Sequence, residues 1–144
     1  MTEKDRLPTQ IYNYIEYELH HYKDNKDTLE LEKERILYQS CPPSDGQPRG
    51  NMTGNETERK AIALVESTTV ISLESRIRAI DRAVNSLTDT HKELFEEIYT
   101  RKRYGMYRIC DELGLSERSY KRYKREIIYS TAREMGVWPK VGLI

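Results

Sequence analysis

The chain has 144 residues, of which 33% are charged and 37% hydrophobic, and its 24 basic side chains equal its 24 acidic ones. The mean hydropathy is -0.83, and no apolar run approaches the ~20 residues of a membrane span, so a soluble, cytoplasmic protein without a membrane segment is expected. Two cysteines, Cys41 and Cys110, lie far apart, which favours a reduced cytosolic protein over a disulfide framework.

Two long helices are predicted within residues 1–86. The first covers about 9–39, and the charged stretch 24–27 is its weak point. The second covers about 56–86, and the β-branched cluster 68–71 predicts a kink there. Both carry apolar residues at helical spacing, which in the second helix are Val70, Leu73, Ile77, Ile80, Val84 and Leu87.

Residues 40–55 separate these two helices and contain three prolines and three glycines. Nothing there ends in the Gly-Lys-Ser/Thr of a phosphate-binding loop, so a flexible linker is predicted. The apolar stripes of the two helices need partners. Residues 1–86 therefore form a helical arm that either packs on itself as an antiparallel pair or joins two chains as a homodimer, and both alternatives stay open.

Three further helices are predicted in residues 87–144. The first covers about 89–103 and ends in three consecutive cations. Its N-cap candidates are Thr88, Asp89 and Thr90, and Thr90 and Glu93 have the spacing of a capping box. The other two meet at a tight turn, where Gly114 can adopt the left-handed conformation and Ser116 can cap the following helix. The predicted fold is therefore all-α. The side chains expected to face inward are Leu94, Phe95, Ile98, Tyr99, Leu113, Leu115, Tyr120, Tyr123 and Ile127.

The last predicted helix is unusually basic. Within 101–125 there are nine basic residues and three acidic ones, an excess that the neutral whole chain conceals. A solvated surface would be the plain interpretation. However, five cations within residues 118–125 repel one another, and an apolar stripe behind a cationic face is typical of a helix that enters the DNA major groove.

The first two turns of such a helix face base edges. Arg118 and Arg122 share a face, so each can reach the O6 and N7 of a guanine, and Glu117 can accept from cytosine N4. The predicted base-reading residues are Glu117, Arg118, Lys121 and Arg122. The predicted phosphate contacts, which fix position without reading sequence, are Arg101, Lys102, Arg103, Arg108, Ser119, Lys124 and Arg125.

Motifs of catalysis are missing from the sequence. The three histidines show no metal-ligand spacing with each other or with the cysteines. There is no nucleophile elbow, dinucleotide fingerprint or zinc-protease motif. We therefore expect no enzyme activity, no metal and no cofactor.

Residues 87–136 resemble the C-terminal domain of bacterial sigma factors, the sigma-70 region 4 that binds the −35 promoter element. The resemblance lies in the first helix of that segment and in the Gly-aliphatic-Ser turn at 114–116. The full chain is similar to phage transcriptional regulators of the RinA/ArpU type, which add an N-terminal helix, a linker and a second helix entered near 57–62. The resemblance implies a sigma-like helix-turn-helix in 87–144, double-stranded promoter DNA and RNA polymerase as partners, and activation of late phage genes in a bacterial host.

One departure concerns the start of the recognition helix. Sigma factors usually begin it with an arginine and then an acidic residue, whereas this chain has Glu117 followed by Arg118, so promoter preference does not carry over. The leading hypothesis is a sequence-specific transcriptional regulator. Two alternatives are a DNA-packaging component similar to small terminase subunits, and a sigma mimic that contacts RNA polymerase without reading DNA.

Overall fold

A computed structural model describes residues 6–39, 52–103 and 105–137, with only the backbone at 39 and 52–55. Every regular element in these ranges is helical, which confirms the all-α prediction. None of the helices there is long and apolar enough to cross a bilayer. The elements are α1 Thr9–His20, α2 Tyr22–Gln39, α3 Met52–Glu66, α4 Thr68–Asn85, α5 Asp89–Phe95, the π-helical segment Glu96–Thr100, α6 Met106–Leu113 and α7 Glu117–Glu134.

Each of the two predicted long helices is interrupted once. The first breaks at His21, not within 24–27, because the His21 ring bonds through Nδ1 to the Tyr17 carbonyl at 2.8 Å and stacks on the Tyr17 ring. The second breaks at Ser67, directly before the predicted kink, where the Ser67 hydroxyl accepts from the Val70 N–H at 3.3 Å. The linker prediction is wrong for 52–55, which is helical, and 40–51 with Cys41 lies outside the described residues.

The chain divides into two compact units. One contains the described residues up to Lys23 and from Arg76 onward, and the other is Asp24–Ser75. Within the first unit, α1 packs against α7 and the π-helical segment, and the predicted domain division at 86/87 stays a prediction. The apolar stripe of α4 is buried as predicted from Val70 to Val84, and a homodimer through the N-terminal helices stays a prediction.

The core of the first unit joins α1 to the C-terminal helices. Its most deeply buried side chains include Ile15, Leu19, Leu94, Tyr99 and Ile127, and burying each aliphatic one contributes about 1.5–3 kcal/mol. Polar contacts join the part of α4 from Arg76 onward to the same core. Glu18 of α1 pairs with Arg76 through Oε1 and Nη1 at 3.3 Å, Arg82 pairs with Glu134 of α7 through Nε and Oε2 at 3.1 Å, and the Tyr22 hydroxyl donates to Asp81.

Helix α5 begins at Asp89, where it was predicted to begin, but differs from its prediction at the other end. Thr88, one of the three N-cap candidates, occupies the N-cap position, whereas Thr90 lies inside the helix, so the predicted capping box of Thr90 and Glu93 is wrong. Its predicted inward residues Leu94, Phe95, Ile98 and Tyr99 are all buried. After Phe95 the helix widens into the π-helical segment, where the Arg101 N–H donates to the Glu96 carbonyl at 2.7 Å. The three cations at 101–103 therefore follow the helix end instead of forming its last turn.

Candidate nucleic-acid interface

The turn between α6 and α7 has the conformation that its sequence predicts. Gly114 is left-handed, with φ 67° and ψ 33°. The Leu115 N–H donates to the Cys110 carbonyl at 2.9 Å, which is the long bond of a Schellman motif. Ser116 caps α7 by accepting from the Ser119 N–H at 3.1 Å. Only three residues separate the helices, so the direction of α7 relative to α6 is determined locally.

One side of α7 is buried against the first unit. The helix packs on α1, α5 and α6, and Ile127, Ile128 and Ala132 are fully buried. Of the residues predicted to face inward here, Tyr120 and Ile127 are buried, whereas Leu113, Leu115 and Tyr123 are half-buried. The apolar stripe therefore fixes which side of α7 faces outward.

Four cations occupy the outward side of α7. Arg118, Lys121, Arg122 and Arg125 are exposed and line one open depression of about 450 Å³. Their spacing of three, four and seven residues places them on one helix face. We call these four residues the α7 basic face.

The cations of the α7 basic face are only partly compensated. Lys121 Nζ lies 3.1 Å from Glu117 Oε1, and Arg122 Nε lies 3.7 Å from Glu126 Oε1. No carboxylate of the described chain comes within 4.0 Å of the guanidinium of Arg118 or Arg125. Both compensating pairs are largely exposed, so solvent screens them. The surface keeps a net positive charge and attracts polyanions.

Lys124 points away from the α7 basic face. Its Nζ lies 2.8 Å from Glu16 Oε1 of α1, and both side chains are only 26% exposed. The pKa of Lys124 is raised, since burial, which lowers it, is outweighed by the hydrogen bond and charge of Glu16. Lys124 therefore joins α7 to α1, and its predicted phosphate contact stays a prediction.

The cations that follow the π-helical segment are also engaged within the protein. Glu97 is buried, at 6% exposure. Arg101 Nη1 lies 2.6 Å from its Oε1, and Arg103 Nε lies 3.4 Å from its Oε2. Arg103 also reaches α6, where its Nη1 lies 2.7 Å from Glu112 Oε2. Arg101 and Arg103 thus neutralise a buried carboxylate, a role the sequence did not indicate.

The remaining predicted phosphate contacts are Arg108, Ser119 and Lys102, and they differ in exposure. The Arg108 side chain is 74% exposed, with Nε 3.9 Å from Glu112 Oε1. Ser119 lies in the first turn of α7 and accepts from the Ser116 hydroxyl at 3.0 Å. Lys102 is half-buried and has a positive φ of 50°, a conformation that side chains other than glycine seldom adopt. None of these three residues lines the depression on α7.

His91 and Glu126 were not found by sequence reasoning. His91 is 4% exposed, and its Nε2 lies 2.7 Å from Glu126 Oε2 of α7. Thr88 stands three residues before His91, a local spacing that indicates a cap, but Glu126 lies 35 residues away and no periodicity links it to His91. Among the described residues, no group of three or more His, Cys, Asp or Glu side chains could hold a metal ion.

The fold and this surface define a small helical protein with one strongly basic helix face. Over 58 residues, the chain is 34% identical to the Transcriptional activator rinA of Staphylococcus phage phi11. The match covers 40% of this chain and 41% of that protein, so the chain spans well under half of the relative's length. The resemblance to RinA-type phage regulators is confirmed over that part. No protein-family model matches the chain, and no solved structure matches it significantly.

Proposed function

We propose that the chain is a transcriptional regulator that reads double-stranded promoter DNA with the α7 basic face and activates late genes of a phage in its bacterial host. The observation that carries the proposal is the outward face of four cations on a helix whose other side is buried. A helix held in this way behind a three-residue turn fits the helix-turn-helix mode of DNA recognition. Activation is proposed instead of repression because the partial relative is named a transcriptional activator.

The proposed base readers lie in the first two turns of α7. Arg118 has no nearby carboxylate in the described chain, so its fork of N–H groups is open to a guanine edge. Arg122 lies one turn later on the same face and takes a second base. Glu117 and Lys121, which bind each other in the free protein, separate to contact cytosine N4 and an acceptor on a neighbouring base.

The proposed phosphate contacts are Arg125 and residues outside the depression. Arg125 lies at the far end of the α7 basic face, where the helix leaves the groove. Arg108 on α6 and Ser119 at the start of α7 add a cation and a hydroxyl, and Lys102 adds charge. Arg101 and Arg103 keep about half of their side-chain surface exposed, so they raise the local potential while bound to Glu97.

A single helix with four base-reading side chains gives limited specificity, because each good contact discriminates by only about 1–3 kcal/mol. We propose that a second copy, held through the N-terminal helices, or RNA polymerase supplies the rest. Light scattering on the purified full chain, measured over a range of protein concentrations, tests the first route. A closed ring that binds the packaging start of phage DNA would instead favour a small-terminase-like role.

The test of the DNA-reading proposal reverses two charges of the α7 basic face. The wild-type protein is first used to enrich duplexes from a random-sequence pool. Arg118→Glu with Arg122→Glu is expected to lower affinity for the enriched duplex by roughly 100-fold, since two guanine contacts are lost. The matched control is Arg59→Glu with Arg78→Glu, which makes the same charge change on exposed residues of α3 and α4 outside the depression.

The outcome is scored by footprinting and by thermal unfolding. We expect unchanged melting temperatures for both double variants and loss of protection only for Arg118→Glu with Arg122→Glu. If that variant still protects the enriched duplex, the base-reading assignment is wrong. Binding of RNA polymerase without any DNA protection by the wild type would favour a sigma mimic.

A further inference from the structure

His91 is held in one orientation by two hydrogen bonds. Its Nδ1 lies 2.6 Å from the Thr88 hydroxyl, and its Nε2 lies 2.7 Å from Glu126 Oε2. An ionised carboxylate can only accept, so Nε2 carries the hydrogen that bonds to Glu126. In the neutral ring Nδ1 then accepts from the Thr88 hydroxyl. With both nitrogens engaged and the side chain buried, the imidazole has no freedom to flip.

The same histidine contacts both groups that hold Arg122. The second oxygen of Glu126, Oε1, faces Arg122 Nε at 3.7 Å. The Tyr123 ring meets His91 edge-on, with centroids 4.6 Å apart and an angle of 84°. The Arg122 guanidinium lies 5.0 Å from the centroid of that Tyr123 ring. A buried side chain of α5 is therefore linked through two separate groups to one arginine of the α7 basic face.

Each contact to Arg122 is weak by itself, because Arg122 and Glu126 are about half exposed. Their effect is to restrain the orientation of the Arg122 side chain. Glu126 and Tyr123 are already restrained by His91, so they lose little side-chain freedom when Arg122 is fixed against a base. The guanidinium thus has a preferred direction before DNA arrives, which benefits a bidentate contact more than a single charge contact.

The local sequence favours this role over a purely structural one. Thr88 occupies the N-cap position of α5, where a threonine hydroxyl usually accepts from the helix N–H groups. Here Thr88 makes no side-chain cap bond, and its hydroxyl binds His91. The helix therefore gives up a stabilising cap while the histidine gains its orientation.

We propose that His91 is a positioning residue for DNA reading, which sets the direction of Arg122 through Glu126 and Tyr123 although it never touches DNA itself. This inference rests on the proposed function. The contact between Arg122 and its base would then depend on the packing of α5 against α7. His91 and Glu126 would help to determine the sequence preference at that one base pair.

The experiment compares three variants on the duplex enriched by the wild type and on a set with each of its base pairs changed singly. His91→Phe keeps the edge contact with Tyr123 and removes both hydrogen bonds. Glu126→Gln removes the charge that faces Arg122. Glu134→Gln is the matched control, because Glu134 also stands on α7 and pairs with an arginine, Arg82, away from the α7 basic face.

His91→Phe and Glu126→Gln are each expected to lower the discrimination between base pairs about fivefold at the position where Arg122→Ala also lowers it. A fivefold loss is about the lower end of the range for one base contact. Glu134→Gln should leave every position unchanged. In the Arg122→Ala background, His91→Phe should cause no further loss, because the two residues act through one contact. A loss at all positions alike, or a loss that adds to that of Arg122→Ala, would mean that His91 only stabilises the fold, and the inference would be overturned.

A measurement without DNA separates this inference from the proposed function. The ¹⁵N relaxation of the Arg122 Nε–H group in the free protein should report a more mobile guanidinium in His91→Phe and Glu126→Gln than in the wild type and Glu134→Gln. Equal mobility in all four proteins overturns the positioning role even if DNA reading is correct. Restrained Arg122 in a wild type that enriches no duplex overturns the proposed function alone and leaves the positioning of Arg122 standing as a structural finding.

Discussion

Two basic stretches of the same unit, residues 101–103 and the α7 basic face, look alike in sequence and differ in structure. Arg101 and Arg103 each lie within 4.0 Å of two carboxylates, Arg101 near Glu96 and Glu97, and Arg103 near Glu97 and Glu112. In the described chain, Arg118 and Arg125 have no carboxylate at that distance. Whether a cation is available to bind a polyanion depends on the carboxylates that surround it. A count of cations in the sequence does not give that information.

The cause of the difference is the buried position of Glu97. A carboxylate at 6% exposure is costly unless it is paired and hydrogen-bonded. Its Oε1 has Arg101 at 2.6 Å, while its Oε2 has only the 3.4 Å contact to Arg103, which is not a hydrogen bond by geometry. The first role of Arg101 and Arg103 is therefore to stabilise the fold by neutralising Glu97.

The largest effect that tests this comparison is on stability. Replacing Arg101 and Arg103 together by Ala leaves Glu97 buried without a cation, and we expect the free energy of unfolding to fall by about 3 kcal/mol. Arg118→Ala with Arg122→Ala removes the same number of charges and should change it by less than about 0.5 kcal/mol. Urea unfolding of both double variants measures the difference.

A further substitution at Glu97 sharpens that result. In the Arg101→Ala, Arg103→Ala background, Glu97→Met removes the buried charge and should restore at least half of the lost stability, because an apolar side chain of similar size needs no partner. If Glu97→Met restores nothing, the two arginines stabilise the fold by some means other than neutralising Glu97.

The second effect separates two neighbours on α7. Lys124 binds Glu16, whereas Arg125 belongs to the α7 basic face. Lys124→Met should cost about 1 kcal/mol of unfolding free energy and leave the salt dependence of DNA binding unchanged. Arg125→Met should leave stability unchanged and lower the slope of log affinity against log salt by about 0.9, the value for one phosphate contact. Denaturant unfolding and a salt titration of binding give the two numbers.

The contribution of Lys124 should also depend on pH in a defined direction. The folded-state pKa of Lys124 is raised above its ordinary 10.5, so its stabilising effect is complete below that value and is lost as the pH rises through the folded pKa. The difference in unfolding free energy between wild type and Lys124→Met should therefore be constant from pH 7 to about 10 and shrink above it. A difference that grows at high pH would contradict the pairing with Glu16.

The features that could be predicted from the sequence are those determined by interactions between residues close together in the chain. The left-handed Gly114, the Ser116 cap and the inward residues of α5 depend on neighbours within a few positions, and the structure has them as expected. The kink near Ser67 was predicted within one or two residues for the same reason. The break at His21 was missed because a single ring-to-carbonyl bond causes it, and no propensity scale contains that bond.

Long-range pairing could not be predicted from one sequence. Glu16 and Lys124 are far apart in the chain, yet their side chains meet where α1 packs against α7. Glu97 and Arg101 are four residues apart, the spacing of an ordinary ion pair on a helix surface, so their proximity could be predicted from the sequence. The burial of Glu97 could not be predicted, because it depends on how the π-helical segment packs against other elements.

The smallest expected effect uses two glutamates with the same local geometry. Glu97 and Glu117 each pair with a cation four residues onward, at 2.6 and 3.1 Å, but the side chain of Glu97 is 8% exposed and that of Glu117 is 48% exposed. Glu117→Gln should change the free energy of unfolding by only about 0.3 kcal/mol, because an exposed pair of this spacing contributes little. If Glu117 reads a cytosine as proposed, the same substitution shifts preference at one base pair, measured on singly changed duplexes. A loss of stability as large as that of a buried pair would show that exposure does not separate the two stretches, and the comparison between them would fail.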